Sequence, residues 1–184
     1  MNTLFPALWR VQLCVALLLL ASGIRAQRPA HYAHRSADLA HALELFDKAK
    51  YGAAQYEFER VVERIADDHA SDRVEAEFYG AICAVRLFRN DAGYRLYTFM
   101  QDRPDDLHVG TVKLELFKHT FAQKKWKESI QWSEQVDRLA LTPSELEEYR
   151  FKGGYAFFQI DQTGKAVVEL AAVRNGSGPY AVPA

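Results

Sequence analysis

A small residue recurs at nearly constant intervals along this chain, and it constrains the fold more than any other feature. Ala54, Ala92, Ser129 and Ala166 are separated by 38, 37 and 37 residues. Around each of them the apolar residues recur every three or four positions, which is the period of an α-helix, with almost no strand-like alternation. Such self-similarity at a fixed interval predicts a repeat architecture.

The residues around each small residue also correspond from one repeat to the next. The corresponding residues are Phe58, Leu96, Ser133 and Leu170 four positions later, Val61, Phe99, Val136 and Val173 seven positions later, Ala42, Gly80, Phe117 and Gly154 twelve positions earlier, and Leu45, Cys83, Thr120 and Phe157 nine positions earlier. Two antiparallel helices joined by a short turn approach closely only where their side chains are small. We therefore expect Gly80 to meet Ala92, and Gly154 to meet Ala166.

The apolar period predicts an all-α fold of four helix pairs. The predicted helices span 36–50 and 52–66, 72–89 and 91–101, 107–122 and 126–140, and 144–160 and 164–173, so that the pairs occupy about 36–68, 72–104, 107–141 and 144–176. Residues 179–184 resemble the start of an incomplete fifth unit. Because one pair cannot bury its apolar face alone, we expect the pairs to stack into an antiparallel helix-pair solenoid. Ser144 and Glu147 fit a capping box that begins the seventh helix, after Thr142-Pro143.

The first 26 residues are typical of a secretory signal peptide. Arg10 closes a short positive region, an apolar run follows from Val11 to Ala21, and Ile24-Arg25-Ala26 offers a small residue at a cleavage site. The run is shorter than the roughly 20 apolar residues that a membrane-spanning helix needs, and retention as an uncleaved anchor is the alternative. Cleavage after Ala26 leaves a flexible lead over 27–35 and a single cysteine, Cys83, which we expect to be a small buried apolar residue.

This arrangement resembles the tetratricopeptide repeat over roughly residues 36–178. The residues that carry the resemblance are Tyr79-Gly80, Cys83, Ala92, Leu96, Phe99 and Pro104 in the second unit, with Tyr51 and Trp126 as the turn aromatics of the first and third. The chain departs from the family in its interval, which exceeds about 34 residues, in Phe117 where a small residue is expected, and in keeping the closing proline only in the second unit. With its signal peptide, the chain resembles the N-terminal part of large exported tetratricopeptide proteins of Bacteroidetes-type bacteria.

The resemblance implies that the chain binds another polypeptide. In that family the first helices of the pairs line a concave groove. Carried over by register, the groove residues are Leu39, Leu43, Glu77, Leu114, Lys118, Phe121, Phe151, Tyr155 and Phe158. The set is mostly apolar and aromatic, which suits an extended or helical peptide held by a few aromatic anchors.

The sequence offers no group of residues that predicts catalysis or a cofactor. His31, His34 and His41 lack the Cys or Glu that would complete a tetrahedral metal site. The paired acids fall at helix ends and turns, where the helix dipole and solvent account for them: Asp67-Asp68, Asp105-Asp106 and Glu147-Glu148. A formal charge of −1 gives no reason to expect nucleic acid.

We therefore expect an exported scaffold, in the periplasm or at the outer membrane, that binds another polypeptide and is not an enzyme. No metal, cofactor or nucleic acid is expected, and peripheral association with a membrane stays open. One alternative is an architectural spacer at the N-terminus of a longer protein. The other is a helical-solenoid enzyme that acts on cell-wall material.

Overall fold

The computed structural model describes residues 36–174, 176 and 178–181, and all the regular secondary structure in them is helical. The eight helices of this part are α1 (Ala37–Asp47), α2 (Tyr51–Arg64), α3 (Ser71–Arg86), α4 (Ala92–Asp102), α5 (Val109–Ala122), α6 (Trp126–Ser133), α7 (Pro143–Gln159) and α8 (Thr163–Arg174). The all-α prediction is confirmed. The predicted signal peptide and lead, 1–26 and 27–35, lie outside the described residues. Among the residues that the structure describes, no helix has both the length and the apolar character needed to cross a bilayer.

The helices pack mainly against their neighbours along the chain. Each helix contacts the next, and two further contacts join the first helices of adjacent pairs, α1 with α3 and α5 with α7. The apolar clusters follow the same order. One combines Leu39 and Phe58 of the first pair with Cys83 of the second, and another combines Leu114 and Phe117 of the third pair with Tyr149 of the fourth. Successive pairs therefore share their cores.

The small residue that recurs in the sequence is buried in every pair, and in the first, third and fourth pairs it packs with the first helix of its pair. Ala54, Ala92, Ser129 and Ala166 are all buried. In the third pair the contact is direct, because the Ser129 hydroxyl on α6 donates a hydrogen bond to the carbonyl oxygen of Phe117 on α5 at 3.2 Å. Phe117, twelve positions before Ser129, therefore faces the small residue of this pair, as the register predicts. The contact is made by the backbone of Phe117 and not by its side chain.

The glycine of α3 does not have the partner that the sequence predicted. A Cβ atom at Gly80 would lie 3.7 Å from Cβ of Phe58, on the preceding pair, with nothing from Ala92 within 4 Å. The predicted contact between Gly80 and Ala92 is therefore wrong. In the fourth pair, a Cβ atom at Gly154 would lie only 2.8 Å from Cγ of Leu170 on α8. The missing side chain of Gly80 leaves room for Phe58 of the preceding pair. The missing side chain of Gly154 leaves room for Leu170, one turn beyond Ala166.

The same turn joins the two helices of all four pairs. It places one residue in the left-handed conformation, with φ between 54° and 62°, and that residue is Ala49, Phe88, Lys124 or Asp161. The N–H of the next residue then donates to the carbonyl five residues back, from Lys50 to Leu45 at 2.9 Å in the first pair. This is the hydrogen bonding of a Schellman cap, which satisfies carbonyls at the end of the first helix. The repeat therefore extends to the backbone of the turn.

The predicted end of α6 is wrong. Helix α6 ends at Ser133 and not at residue 140, because the Tyr149 hydroxyl donates to the Ser133 carbonyl at 2.9 Å and Asp137 accepts from the backbone N–H of Leu139 at 2.9 Å. Such local side-chain bonds compete with helix propagation.

The capping box of α7 is formed two residues earlier than predicted. It consists of Thr142 and Glu145, with Pro143 as the first helical residue, and not of Ser144 and Glu147. Proline favours the first helical position because it has no N–H to satisfy and its fixed φ is helical. Pro143 therefore fixes the start of the helix, and Thr142 becomes the cap.

We predict opposite effects from the same substitution at two adjacent glycines of α7. Alanine at position 154 meets Leu170 and should lower the free energy of unfolding by about 1–3 kcal/mol, the usual result of overpacking. Alanine at position 153 has nothing within 4 Å of its Cβ atom and should raise it by about 0.5–1 kcal/mol through helix propensity. Urea unfolding of Gly154→Ala and Gly153→Ala tests both. Equal effects of the two substitutions would contradict the close contact at Gly154.

Candidate binding surface

A chain of ion pairs runs along the first helices of the last three pairs. Arg86 on α3 holds the buried carboxylate of Glu115 on α5 with two hydrogen bonds of 3.1 and 3.2 Å. Lys118, 3.7 Å from Glu115, reaches Glu148 on α7 at 2.9 Å, and Lys152 reaches the same carboxylate at 2.5 Å. These contacts place alternating charges across three neighbouring helices, so that each charge has an opposite partner.

Three aromatic rings lie beside this chain of charges. Phe121, Trp126 and Tyr155 contact one another edge to face, with ring centroids 5.4, 5.8 and 5.7 Å apart. The ammonium group of Lys152 lies 5.6 Å from the centre of the Phe121 ring, within the range of a cation–π interaction. Tyr155 remains 39% exposed. The cluster therefore presents an aromatic edge to solvent while its rings hold one another in place.

A residue from beyond the last helix completes this region. Tyr180 stacks on Phe151 of α7 with ring centroids 5.1 Å apart and planes 29° from parallel. Burial raises the pKa of the Tyr180 phenol, and the negative charge of Glu148 adds to that effect. We call the surface formed by Lys118, Phe121, Trp126, Glu148, Phe151, Lys152 and Tyr155 the α5–α7 surface.

The structure brings four of the nine predicted groove residues together. Lys118, Phe121, Phe151 and Tyr155 all belong to the α5–α7 surface. Phe158 follows Tyr155 by one turn of the same helix and is 56% exposed. Leu43 lies apart on α1, half-buried against the cluster that contains Leu39 and Phe58.

Two of the predicted groove residues do not line any open surface. Leu39 and Leu114 are buried in the core, with exposures of 0% and 2%. Leu39 packs in the cluster that joins the first and second pairs, and Leu114 in the cluster that joins the third and fourth. The prediction was wrong for both because a side chain that turns away from its own second helix can still be covered by the neighbouring pair.

Glu77 belongs to a different part of the molecule, a cleft of about 640 Å³ between α2, α3 and α4. Its carboxylate pairs with Arg73 at 3.0 Å and with Arg103 at 2.6 Å. Arg73 also donates to the carbonyl of Val62 at 2.9 Å and pairs with Asp68 at 3.0 Å. Glu77 is thus engaged in contacts that tie the end of α2 to α3, and it is not near the α5–α7 surface.

Three members of the α5–α7 surface, and Tyr180 beside it, were absent from the predicted groove. Glu148 and Lys152 are spaced as a helical i, i+4 pair, a signal that was present in the sequence. Trp126 was recognised as a turn aromatic, and its spacing from Phe121 would have placed the two rings together. Tyr180 gave no signal, because its contact with Phe151 comes from a segment without helical periodicity.

The Glu148 carboxylate is the electrostatic centre of this surface. Burial alone would raise the pKa of Glu148, but hydrogen bonds from Lys152 and Lys118, together with their charges, lower it below its ordinary value of 4.5. A group whose pKa falls on folding stabilises the fold above the pKa of the unfolded chain. That contribution is lost as the pH falls through the lower, folded value.

Two of the other candidate groups lie among the described residues, His41 and Cys83. His41 is exposed on α1, while His31 and His34 lie outside the described residues. Across 36–174 and the short segment after it, no three His, Cys, Asp or Glu side chains are placed to share a metal ion. Cys83 is buried, as predicted, and burial raises the pKa of its thiol to about 12. A thiol with such a pKa is inert as a nucleophile at neutral pH.

Comparison with known proteins finds no matching family model, no matching curated protein and no matching solved structure.

We predict that Glu148→Gln makes the stability of the protein less dependent on pH. At pH 7 the substitution should lower the free energy of unfolding by about 1–2 kcal/mol, because two charged hydrogen bonds lose their carboxylate. The difference from the original chain should disappear as the pH falls below 4.5. Urea unfolding of both chains at a series of pH values measures this difference in the free energy of unfolding. Glu44→Gln is the control, because the Glu44–Lys48 pair is more than half exposed and should matter much less. A Glu148→Gln difference that persists at low pH would contradict this account.

Proposed function

We propose that this chain is an exported helix-pair solenoid of the tetratricopeptide type that binds another polypeptide through its α5–α7 surface. Three observations support the solenoid. Contacts follow the order of the helices, the same left-handed turn joins every pair, and the recurring small residue is buried in each of them. Repeat arrays of this kind hold extended binding surfaces open, because each unit is fixed only by its neighbours.

The observation that carries the binding proposal is the position of Tyr180. This residue belongs to a non-helical segment, yet its ring lies flat against Phe151 on the first helix of the fourth pair. The α5–α7 surface thus accommodates an aromatic side chain that arrives from outside its helices. A peptide that presents an aromatic residue would contact the exposed edge of Tyr155, one turn along α7 from the Phe151 ring that Tyr180 covers.

The surface is suited to hold such a peptide without rearrangement. Phe121, Trp126 and Tyr155 fix one another by edge-to-face contacts, so little side-chain entropy is lost when a ligand covers them. The neighbouring charges of Lys118, Glu148 and Lys152 are already paired, and an uncharged aromatic residue does not have to break them. Binding energy would come mainly from the rings, as aromatic anchors provide at peptide interfaces.

Export to the periplasm or outer membrane is the second part of the proposal. It rests on the N-terminal sequence, in which Arg10 is followed by the apolar run Val11–Ala21 and a cleavage site at Ala26. The mature chain would begin at Gln27. N-terminal sequencing of the exported protein reads that residue directly, and a protein that stays in the cytoplasm with its first 26 residues intact would contradict export.

We predict that the rings of the α5–α7 surface determine peptide binding. Peptides selected from a random display library on the purified chain should be enriched in aromatic residues. Tyr155→Ala and Phe121→Ala should each weaken the selected peptides by about tenfold or more, equivalent to about 1.4 kcal/mol. Fluorescence titration gives the affinities, and circular dichroism checks that helix content is kept.

Tyr94→Ala is the matched control, since Tyr94 is 72% exposed on α4 and far more accessible than Tyr155. It should leave peptide affinity unchanged. Selected peptides that bind both ring variants as tightly as the original chain would contradict the proposed surface.

A further inference from the structure

Two positions in each helix pair face the pair that follows. The first lies on the first helix, four residues after the position of Gly80 and Gly154, and is Phe46, Ala84, Phe121 or Phe158 in the four pairs. The second directly follows the recurring small residue on the second helix, and is Gln55, Gly93, Ile130 or Val167. These two positions allow the same place to be compared in all four pairs.

In the first three pairs each of these positions is buried or contacts the following pair. Phe46 lies with its ring 5.0 Å from that of Tyr79, and Ala84 and Gln55 are buried. A Cβ atom at Gly93 would lie 3.2 Å from the imidazole ring of His119.

In the third pair both positions contact the following pair. The Phe121 ring lies 5.8 Å from the ring of Tyr155, and Ile130 is buried in a cluster with Ala156 and Phe157. Three consecutive residues of α7 thus form the surface that meets Phe121 and Ile130. The contact between one pair and the next is therefore made by a short run of the incoming first helix.

In the fourth pair both positions are open and apolar. Phe158 is 56% exposed and Val167 is 59% exposed. We call these two residues the end face. They repeat the chemistry of the third pair, with phenylalanine again at the first position and a β-branched aliphatic residue again at the second. The end face therefore offers to an incoming helix the same two side chains that Phe121 and Ile130 offer to α7.

Neither α7 nor α1 of a second copy of this chain supplies a fitting helix. Its Tyr155, Ala156 and Phe157 are already packed on the third pair of their own chain. Its first described helix, α1, exposes His41 and Glu44, which are polar and would be desolvated against Phe158 and Val167 at a cost. The occupant must bring its own apolar helix.

We propose that the end face docks the first helix of a further helix pair belonging to a partner, one that carries a small residue flanked by two aromatic residues as Tyr155, Ala156 and Phe157 do. The partner helix would lie on α7 and α8 as α7 lies on α5 and α6. This site is separate from the peptide-binding proposal, because Phe158 and Val167 do not belong to the α5–α7 surface. Either proposal can fail without the other.

The test supplies the proposed helix pair by extending the chain. A duplicate of residues 144–180 placed directly after Tyr180 keeps the 37-residue interval of the repeat and brings a second copy of the Tyr-Ala-Phe run to the end face. Tethering makes the docking intramolecular, so that weak affinity is no obstacle. We expect one unfolding transition with a midpoint raised by on the order of 5 °C, and slower amide hydrogen exchange in α8.

Matched substitutions in the original fourth pair locate the effect. Val167→Lys should remove the rise in midpoint, whereas Val168→Lys should not, because Val168 is 68% exposed and its counterparts Tyr56 and Tyr94 are exposed as well. An extension built from residues 107–143, which brings Lys118, His119 and Thr120 to the end face, should raise the midpoint less.

Three results would overturn the proposal. One is an appended pair that unfolds in its own transition, with no change in the midpoint or in the exchange of α8. Another is equal stabilisation by both extensions, which would show that the Tyr-Ala-Phe run does not matter. The third is a dimer of the unextended chain in sedimentation experiments that Val167→Lys converts to a monomer, since a second copy would then be the occupant. Circular dichroism of each chain shows whether the appended residues are helical.

Discussion

The close approach of two helices at one small buried residue is the contact on which the rest of the structure depends. Ala54, Ala92, Ser129 and Ala166 hold this place in the four pairs, and all are buried. The 3.2 Å hydrogen bond from Ser129 to the backbone of α5 shows how little room is left. Because the helices are this close, the larger residues on either side point outward into the neighbouring pair, and successive pairs share a core.

Much of this arrangement could be predicted from the sequence, because it depends on the spacing of apolar and small residues along the chain. Helical periodicity defines the helices, and an interval of 37 or 38 residues identifies the positions that repeat. Burial follows those positions closely, as with Phe58 and Leu96, or Val61 and Val173. The exception, Phe117, is accommodated since its ring lies 5.2 Å from that of Tyr149 on the next pair.

What the sequence could not provide depends on contacts between segments. None of the four left-handed turn residues is glycine, so no residue type in the sequence indicates the repeated turn. Leu39 and Phe151 hold the same register position, three residues before Ala42 and Gly154, yet Leu39 is in the core and the half-buried Phe151 forms part of the candidate surface. Register states which way a side chain points, and only the neighbouring pair decides whether it is covered. The α5–α7 surface and the end face both arise from that second condition.

Replacement of the recurring small residue tests this account most directly. Leucine at position 129 should force α5 and α6 apart and lower the free energy of unfolding by about 2–3 kcal/mol in urea, whereas alanine, which the other three pairs carry, should be tolerated. Ala53→Leu, on an exposed position of α2, should change stability by less than about 0.5 kcal/mol. If Ser129→Leu were as mild as Ala53→Leu, the close contact would not be what holds the pairs together.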